Sequence, residues 1–458
     1  MVIRSIGTSS HKTRGPDLAG WSLSLTTVLL LGFFANQFVS DWNVFRSSYR
    51  DVQSGDFPHY YIAAKMAALG PQHLLYYPAR SSKEAGLSKI STDTEWNQLA
   101  HSCGLRDTLH FSAPPEVALL LMPIGKLPFQ QAYLAWTVFS ELCFFAAICV
   151  CLKLCGAFTP MTVLVCTFAG FAFQPVVLTF EKGQFGTVLL LLWSLGTLLA
   201  SRKKDTASAL MFALATIIKL TPALALGVFV MRRRWRWLAA YALWMTIILG
   251  LGMASSGLEN HRIFLNKMKT LSSGVAGPYN YSLTGIVQNA YYHTVPNNEQ
   301  MLDDTPVSVQ ALNKLLGLGV YFSAIVMLWK MNEEDITFDL VTASFLVLLI
   351  APFTWRHYYA LEVLPLIFMW VRLKEGFTNG NRWVLPLISV CTLVPATRYP
   401  DYLQTHLSNG PIRILLVGLL PASALVLLGT LVVAFGNRAY QETGRNEPIH
   451  SRPVAVAV

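Results

Sequence analysis

Apolar and polar positions along this chain fall into long blocks, not into the short amphipathic periods of a water-soluble fold. Residues 21–40, 184–200 and 412–435 are nearly free of charge, and each matches the roughly 20 apolar residues that a helix needs to cross a bilayer. Similar runs lie near 131–152, 161–180, 206–231, 237–255, 311–329, 336–353, 357–371 and 383–398. The pattern predicts an all-α polytopic membrane protein with about 10–12 transmembrane helices. Two polar regions interrupt it, 41–130 and 256–310. Within the first, 60–69 and 93–103 have helical composition, and 111–128 carries four prolines among apolar residues. Short helices at the membrane interface are expected there.

Basic residues orient the chain, because Lys and Arg in short loops stay on the cytoplasmic side. Arg4, Lys12 and Arg14 place the N-terminus inside, so the first span delivers region 41–130 to the external face. Arg202, Lys203 and Lys204 mark a return to the cytoplasm, and Arg232, Arg233, Arg234 and Arg236 mark it again. The run 206–231 between these clusters therefore has two cytoplasmic flanks. Lys219-Leu220-Thr221-Pro222 near its middle suggests a broken, re-entrant hairpin, with two short crossings as the alternative. Region 256–310 is external, and Lys330, Arg372, Lys374, Arg382 and Arg438 fall inside. Both termini come out cytoplasmic. Residues 1–436 read as one integral-membrane domain, followed by a polar cytoplasmic tail, 437–458.

Composition agrees with the pattern: 53% of the 458 residues are apolar and 13% charged, about half the charged share of a soluble domain. The net charge of +10 comes largely from clusters beside apolar runs, so no nucleic-acid partner is expected. Six of the seven cysteines lie in or beside apolar runs, where packing accounts for them. Cys103 sits in a long polar segment, and no disulfide framework is expected there.

Ionisable groups placed within or beside membrane spans cost free energy and usually serve a purpose. Gly55-Asp56 precedes an apolar helix bearing Tyr60 and Tyr61, so Asp56 is either a general base or simply a helix cap. Glu181-Lys182-Gly183-Gln184 breaks two spans on the same external side. Lys219 stands in the middle of an apolar run. Arg356, His357 and Tyr358 follow Pro352-Phe353 at an external span end, against the usual charge bias, and either hold an anion or anchor the interface. Asn280 and Ser282 offer groups able to bind a sugar or to form an ordinary turn. His110, with Tyr76 and Tyr77, completes the external cavity. A carboxylate facing these cations suits an acceptor hydroxyl and a departing phosphate attached to a lipid. A transporter or flippase of an anionic or lipid-linked substrate is the alternative.

The ordered series Gly55-Asp56 with Tyr60-Tyr61, Leu75-Tyr76-Tyr77-Pro78, Phe111-Ser112-Ala113-Pro114-Pro115 with Met122-Pro123, Gly183-Gln184, Lys219-Leu220-Thr221-Pro222, Asn280-Tyr281-Ser282-Leu283 and Pro352 to Tyr358 resembles glycosyltransferase family 87 across residues 50 to 370. The resemblance implies a GT-C-type fold and transfer of a sugar, mannose or a pentose such as arabinofuranose, from a polyprenyl-phosphate donor. The acceptor would be a hydroxyl of a lipid or cell-envelope glycan at the extracytoplasmic face of the cell membrane. It implies an inverting reaction with Asp56 as base, Lys219, Arg356 and His357 near the donor phosphate, and Tyr60, Tyr61, His110, Gln184, Asn280, Ser282 and Tyr358 around the substrates. No metal or other cofactor is expected. The family usually carries Tyr-x-Pro ahead of its second motif, where this chain has Phe111-Ser112-Ala113-Pro114.

Overall fold

A computed structural model describes residues 55–76, 95–106, 111–271, 275–276, 279–291, 300–301, 306–331, 335–375, 384–397 and 411–433. The first span, the basic N-terminal residues, Tyr77, His110 and the tail lie outside the described residues. In chain order the helices are α1 (Phe57–Leu69), α2 (Glu95–Ser102), α3 (Pro115–Gly125), α4 (Phe129–Leu154), α5 (Pro160–Phe171), α6 (Gln174–Lys182), α7 (Gly186–Ser201), α8 (Asp205–Ile218) and α9 (Leu226–Met231). They continue with α10 (Trp235–Ser256), α11 (Leu258–Leu271), α12 (Leu283–Tyr291), α13 (Val307–Lys330), α14 (Ile336–Ile350), α15 (Val363–Glu375), α16 (Val384–Ala396) and α17 (Pro411–Leu431). Short 3-10 turns at Thr221–Ala225 and Arg356–Glu362 precede α9 and α15. One antiparallel pair of two-residue strands, Val275–Ala276 with Gln300–Met301, completes the described elements.

Sequence chemistry sets several of these ends. Thr159 and Thr162 form a reciprocal capping box at the start of α5, and the Asp335 side chain accepts the Thr337 N–H at 2.9 Å to cap α14. Each satisfies backbone donors that a helix N-terminus otherwise leaves orphaned.

Among the described residues four helices are long and apolar enough to cross a membrane singly: α4, α10, α13 and the Ile414–Leu431 part of α17. The pair α5 and α6, bent by 66°, makes a fifth if counted as one span. Several shorter apolar helices, among them α7, α8, α14 and α16, fill in between. The protein is multi-pass, but many of its apolar runs are broken near the polar positions singled out above.

Exposure separates the layers of the bundle. Leu243, Leu251, Leu315 and Phe322 on α10 and α13 are more than half exposed, as lipid-facing residues are in a bundle whose solvent is hydrocarbon. Helix α14 is buried along almost its whole length and forms the axis of a large core that includes Trp193, Phe212, Phe229 and Trp237. The indole N–H of Trp193 donates to the Leu340 carbonyl at 3.1 Å, and that of Trp237 to Ser208 Oγ at 2.9 Å, so neither buried ring leaves its polar atom orphaned. A second core joins α1, α2 and α3 to the start of α4 through Phe57, Tyr60, Phe111, Trp96, Tyr133 and Trp136, and reaches Phe185 and Ile218. The two cores meet along the breaks at Gly183 and Lys219.

The run 206–231 folds back on itself as a hairpin. Arg234 Nη2 donates to the Ala200 carbonyl at 2.7 Å, and Arg234 Nη1 lies 3.8 Å from Asp205 Oδ1, so the residues before α8 and after α9 sit side by side. The 14 residues of α8 rise about 21 Å, short of the roughly 30 Å hydrocarbon core. Arg232 closes the same end of the bundle, where its Nε and Nη2 donate to Asp339 Oδ2 and Oδ1 at 2.6 and 2.9 Å. Lys219 is left at the far tip of this hairpin, where the helix ends and the backbone turns extended.

Candidate functional site

Asp56 stands at the N-cap position of α1, yet its side chain makes no capping hydrogen bond. Its carboxylate is drawn elsewhere: Gln184 Nε2 donates to Asp56 Oδ2 at 2.6 Å. The other end of that amide, Gln184 Oε1, accepts the Tyr60 hydroxyl at 3.0 Å. The Asp56 N–H donates to the Lys182 carbonyl at 2.9 Å, fastening the α1 start to the break between α6 and α7. Gly183 makes this approach feasible. Its φ of 66° is left-handed, and a Cβ there would lie 2.6 Å from Phe57 Cβ, so glycine is required both by conformation and by space. Trp136 holds the same turn by donating its indole N–H to the Gly183 carbonyl at 3.0 Å.

Cationic and aromatic groups converge on this carboxylate. Asp56 acts electrostatically on Lys219 at the tip of the α8–α9 hairpin, on Tyr358, and on Tyr60 and His59 of its own helix. The Lys219 ammonium lies over the face of the Tyr358 ring, a cation–π seat that fixes its position. Lys219 and Lys182 both act on His357, whose Nε2 is buried and makes no hydrogen bond among the described residues. The His357 carbonyl accepts from Thr179 of α6 at 3.4 Å, and Gly186 Cβ would fall 3.0 Å from the same carbonyl. The Arg356–Glu362 turn thus lies directly against α6 and the start of α7.

Other expected residues take different places. Arg356 is buried and donates through Nη2 to the Pro395 carbonyl at 3.2 Å, directing its guanidinium toward the end of α16. Tyr61 donates to the Leu127 carbonyl at 2.8 Å and packs on Phe129, on the face of α1 that meets α3 and α4. Asn280 and Ser282 form a backbone staple. Asn280 Oδ1 accepts from Ser282 Oγ at 2.8 Å and from the Thr354 N–H at 3.1 Å, while its Nδ2 donates to the Pro352 carbonyl at 3.1 Å. These bonds, with Tyr359 donating to the Tyr281 carbonyl at 2.8 Å, join the loop before α12 to the strand-like segment that leads into His357.

His59 was not singled out in the sequence, although it lies one helical turn after Asp56 and so faces the same way. It is buried, its ring 4.4 Å from that of Tyr60. Burial pushes its pKa down to about 4, against the Asp56 carboxylate, which pulls it up, and with Lys267, which adds to the depression. The folded ring therefore refuses a proton that the unfolded chain binds below about 6.5, so stability is lost as pH falls from that value and levels off near 4. The whole effect amounts to roughly 3 kcal/mol. The thermal unfolding midpoint of the wild type should fall faster between pH 7 and 4 than that of His59→Gln; parallel curves would remove His59 as the source.

A family model for glycosyltransferase family 87 matches residues 111–352, more than half of the chain. The chain belongs to glycosyltransferase family 87. Its polytopic, all-helical architecture is of the GT-C type. Gln184, Lys219, Asn280 and Ser282 lie inside the matched stretch, whereas Asp56, Tyr60 and Tyr61 precede it and Arg356, His357 and Tyr358 follow just beyond. This family 87 chain is also 24% identical over 269 residues to the polyprenol-phosphate-mannose-dependent alpha-(1-2)-phosphatidylinositol pentamannoside mannosyltransferase of Mycolicibacterium smegmatis (strain ATCC 700084 / mc(2)155), covering 57% of this chain and 61% of that protein. The match thus spans less than two thirds of the relative.

Proposed function

We propose that this family 87 protein is an inverting membrane glycosyltransferase that moves mannose from a polyprenyl-phosphate donor to a hydroxyl of a lipid-anchored or cell-envelope glycan. The observation that carries the reading is the Asp56 carboxylate, held off its helix cap by Gln184 and facing Lys219 across the seam between the two cores. A polyprenyl-phosphate donor follows from the relative's name and suits a site whose cations lie beside membrane-spanning helices. Mannose is the sugar in that name.

In this mechanism Asp56 accepts the proton of the acceptor hydroxyl as its oxygen attacks the anomeric carbon. The bond from that carbon to the donor phosphate oxygen breaks, and its electron pair leaves with polyprenyl phosphate. Lys219 and His357 meet the charge that develops on that phosphate. Tyr60 and Gln184 hold the base in place, and Tyr358 orients Lys219. Arg356, directed toward Pro395, supports the His357 turn. Asn280 and Ser282 act at one remove, by setting the segment that carries His357. The site opens on the extracytoplasmic side, opposite the Arg232–Asp339 end, and both termini are cytoplasmic by the distribution of basic clusters.

The test is transfer by purified protein in liposomes from radiolabelled polyprenyl-phosphate mannose to membrane lipid extract, with product resolved by chromatography. A labelled glycolipid that is stable to mild acid, which cleaves the donor's glycosyl phosphate bond, and that depends on the protein is the expected result. Flux of an anionic or lipid-linked solute with no transfer product would replace the proposal with a transporter.

A further inference from the structure

A second cation lies close to the Asp56 helix, and no role described above uses it. Lys267 of α11 is partly buried and donates from Nζ to the Phe111 carbonyl at 2.9 Å. Among the described residues no carboxylate comes within ion-pair distance of it. Phe264, one turn earlier on the same face, is buried against Tyr76, whose ring also lies 5.5 Å from that of Phe111. Phe111 in turn meets Tyr60 edge-on at 6.2 Å, and Tyr60 is bonded through Gln184 to Asp56. Lys267 is therefore built into the aromatic wall that carries the base, with ammonium protons left over after its one carbonyl bond.

The two cations divide the neighbours of Asp56 between them. Lys219, with Lys182, acts on His357, whereas Lys267 acts on His59. Lys219 belongs to the α8–α9 hairpin, while Lys267 belongs to α11, which contacts α3 and holds the segment after α1 through Asn260. In the mechanism above Lys219 and His357 meet the charge that develops on the leaving phosphate, so a further cation built into a different wall of the site is left for a different anion. A partly buried ammonium without a counter-ion is costly unless a ligand supplies one.

We infer that Lys267, with His59 beside it, recognises an anionic group, a phosphate or a carboxylate, carried by the acceptor. This rests on the transferase reading and names the acceptor's chemical class within it. The ammonium then forms charge-assisted hydrogen bonds with the anion, and the neutral His59 ring donates its one N–H to the same anion.

The experiment compares three synthetic acceptors that share one alkyl mannoside: neutral, bearing a phosphodiester, and bearing a carboxylate. In the wild type at least one charged acceptor should show a KM about tenfold below that of the neutral one, and which one it is identifies the anion. Lys267→Met should bring that ratio close to one with an unchanged thermal unfolding midpoint, and Lys267→Arg should restore most of it. An unchanged ratio in Lys267→Met, or a raised KM for the donor instead, overturns the inference. Absence of transfer to all three acceptors in the wild type would sink the transferase reading separately. In that case equilibrium binding of the same three compounds to wild type and Lys267→Met decides the matter: equal affinities for charged and neutral compounds reject the inference.

Discussion

Replacing Asp56 by Asn is expected to lower kcat for mannosyl transfer by about a thousandfold, within the range that a positioned general base contributes. Asn keeps an oxygen able to accept from Gln184, so the bond that places residue 56 survives along with the fold. The lost quantity is basicity alone. KM for the donor should change little, because the carboxylate works on the acceptor proton and not on the phosphate. Steady-state kinetics with polyprenyl-phosphate mannose, together with a thermal unfolding curve, separates the outcomes. A kcat within tenfold of wild type would remove Asp56 from the chemistry and leave it a purely structural residue.

Lys219→Met should cost about a hundred- to a thousandfold in kcat, the scale of removing one preorganised charge from a developing anion. Its structural consequence should be small or favourable, because Met fills a similar volume and no longer holds an ammonium over Tyr358 inside an apolar hairpin. That combination, lost turnover with retained or raised unfolding temperature, is what distinguishes a site cation from a packing residue. Lys219→Arg should not restore full rate, since a planar guanidinium cannot reproduce the position of a compact ammonium on one aromatic face. A kcat close to wild type in Lys219→Met would place the phosphate elsewhere, with Lys182 the next cation to examine because it also acts on His357.

Much of the site was legible because the sequence carries its own anomalies. Lys219 stands out in an apolar run, and Asp56 follows Gly55 at the start of an apolar helix, so both are visible without coordinates. The ambiguity at Asp56 was whether the carboxylate caps its helix. The fold resolves it through Gln184, 128 residues away in the chain, and no local pattern reports a bond of that separation. His59 and Lys267 were missed for the same reason. A histidine near a helix start and a lysine in a polar segment look unremarkable until α11 packs against α3 and the segment that follows α1. Asn280 and Ser282 were visible as polar residues, but only the positions of Pro352 and Thr354 show that their side chains are occupied with backbone.

By itself the sequence determined the membrane class and the break near the middle of 206–231. These follow from transfer free energies and charge placement, which are properties of the chain read one stretch at a time. Only the tertiary structure decided that Asp56, Gln184, Tyr60, Lys219, Tyr358 and His357 share one seam while Arg356 and Tyr61 turn away. Which side chains meet is set by how helices pack and how glycines such as Gly183 let backbones approach, and that depends on residues far apart in the chain.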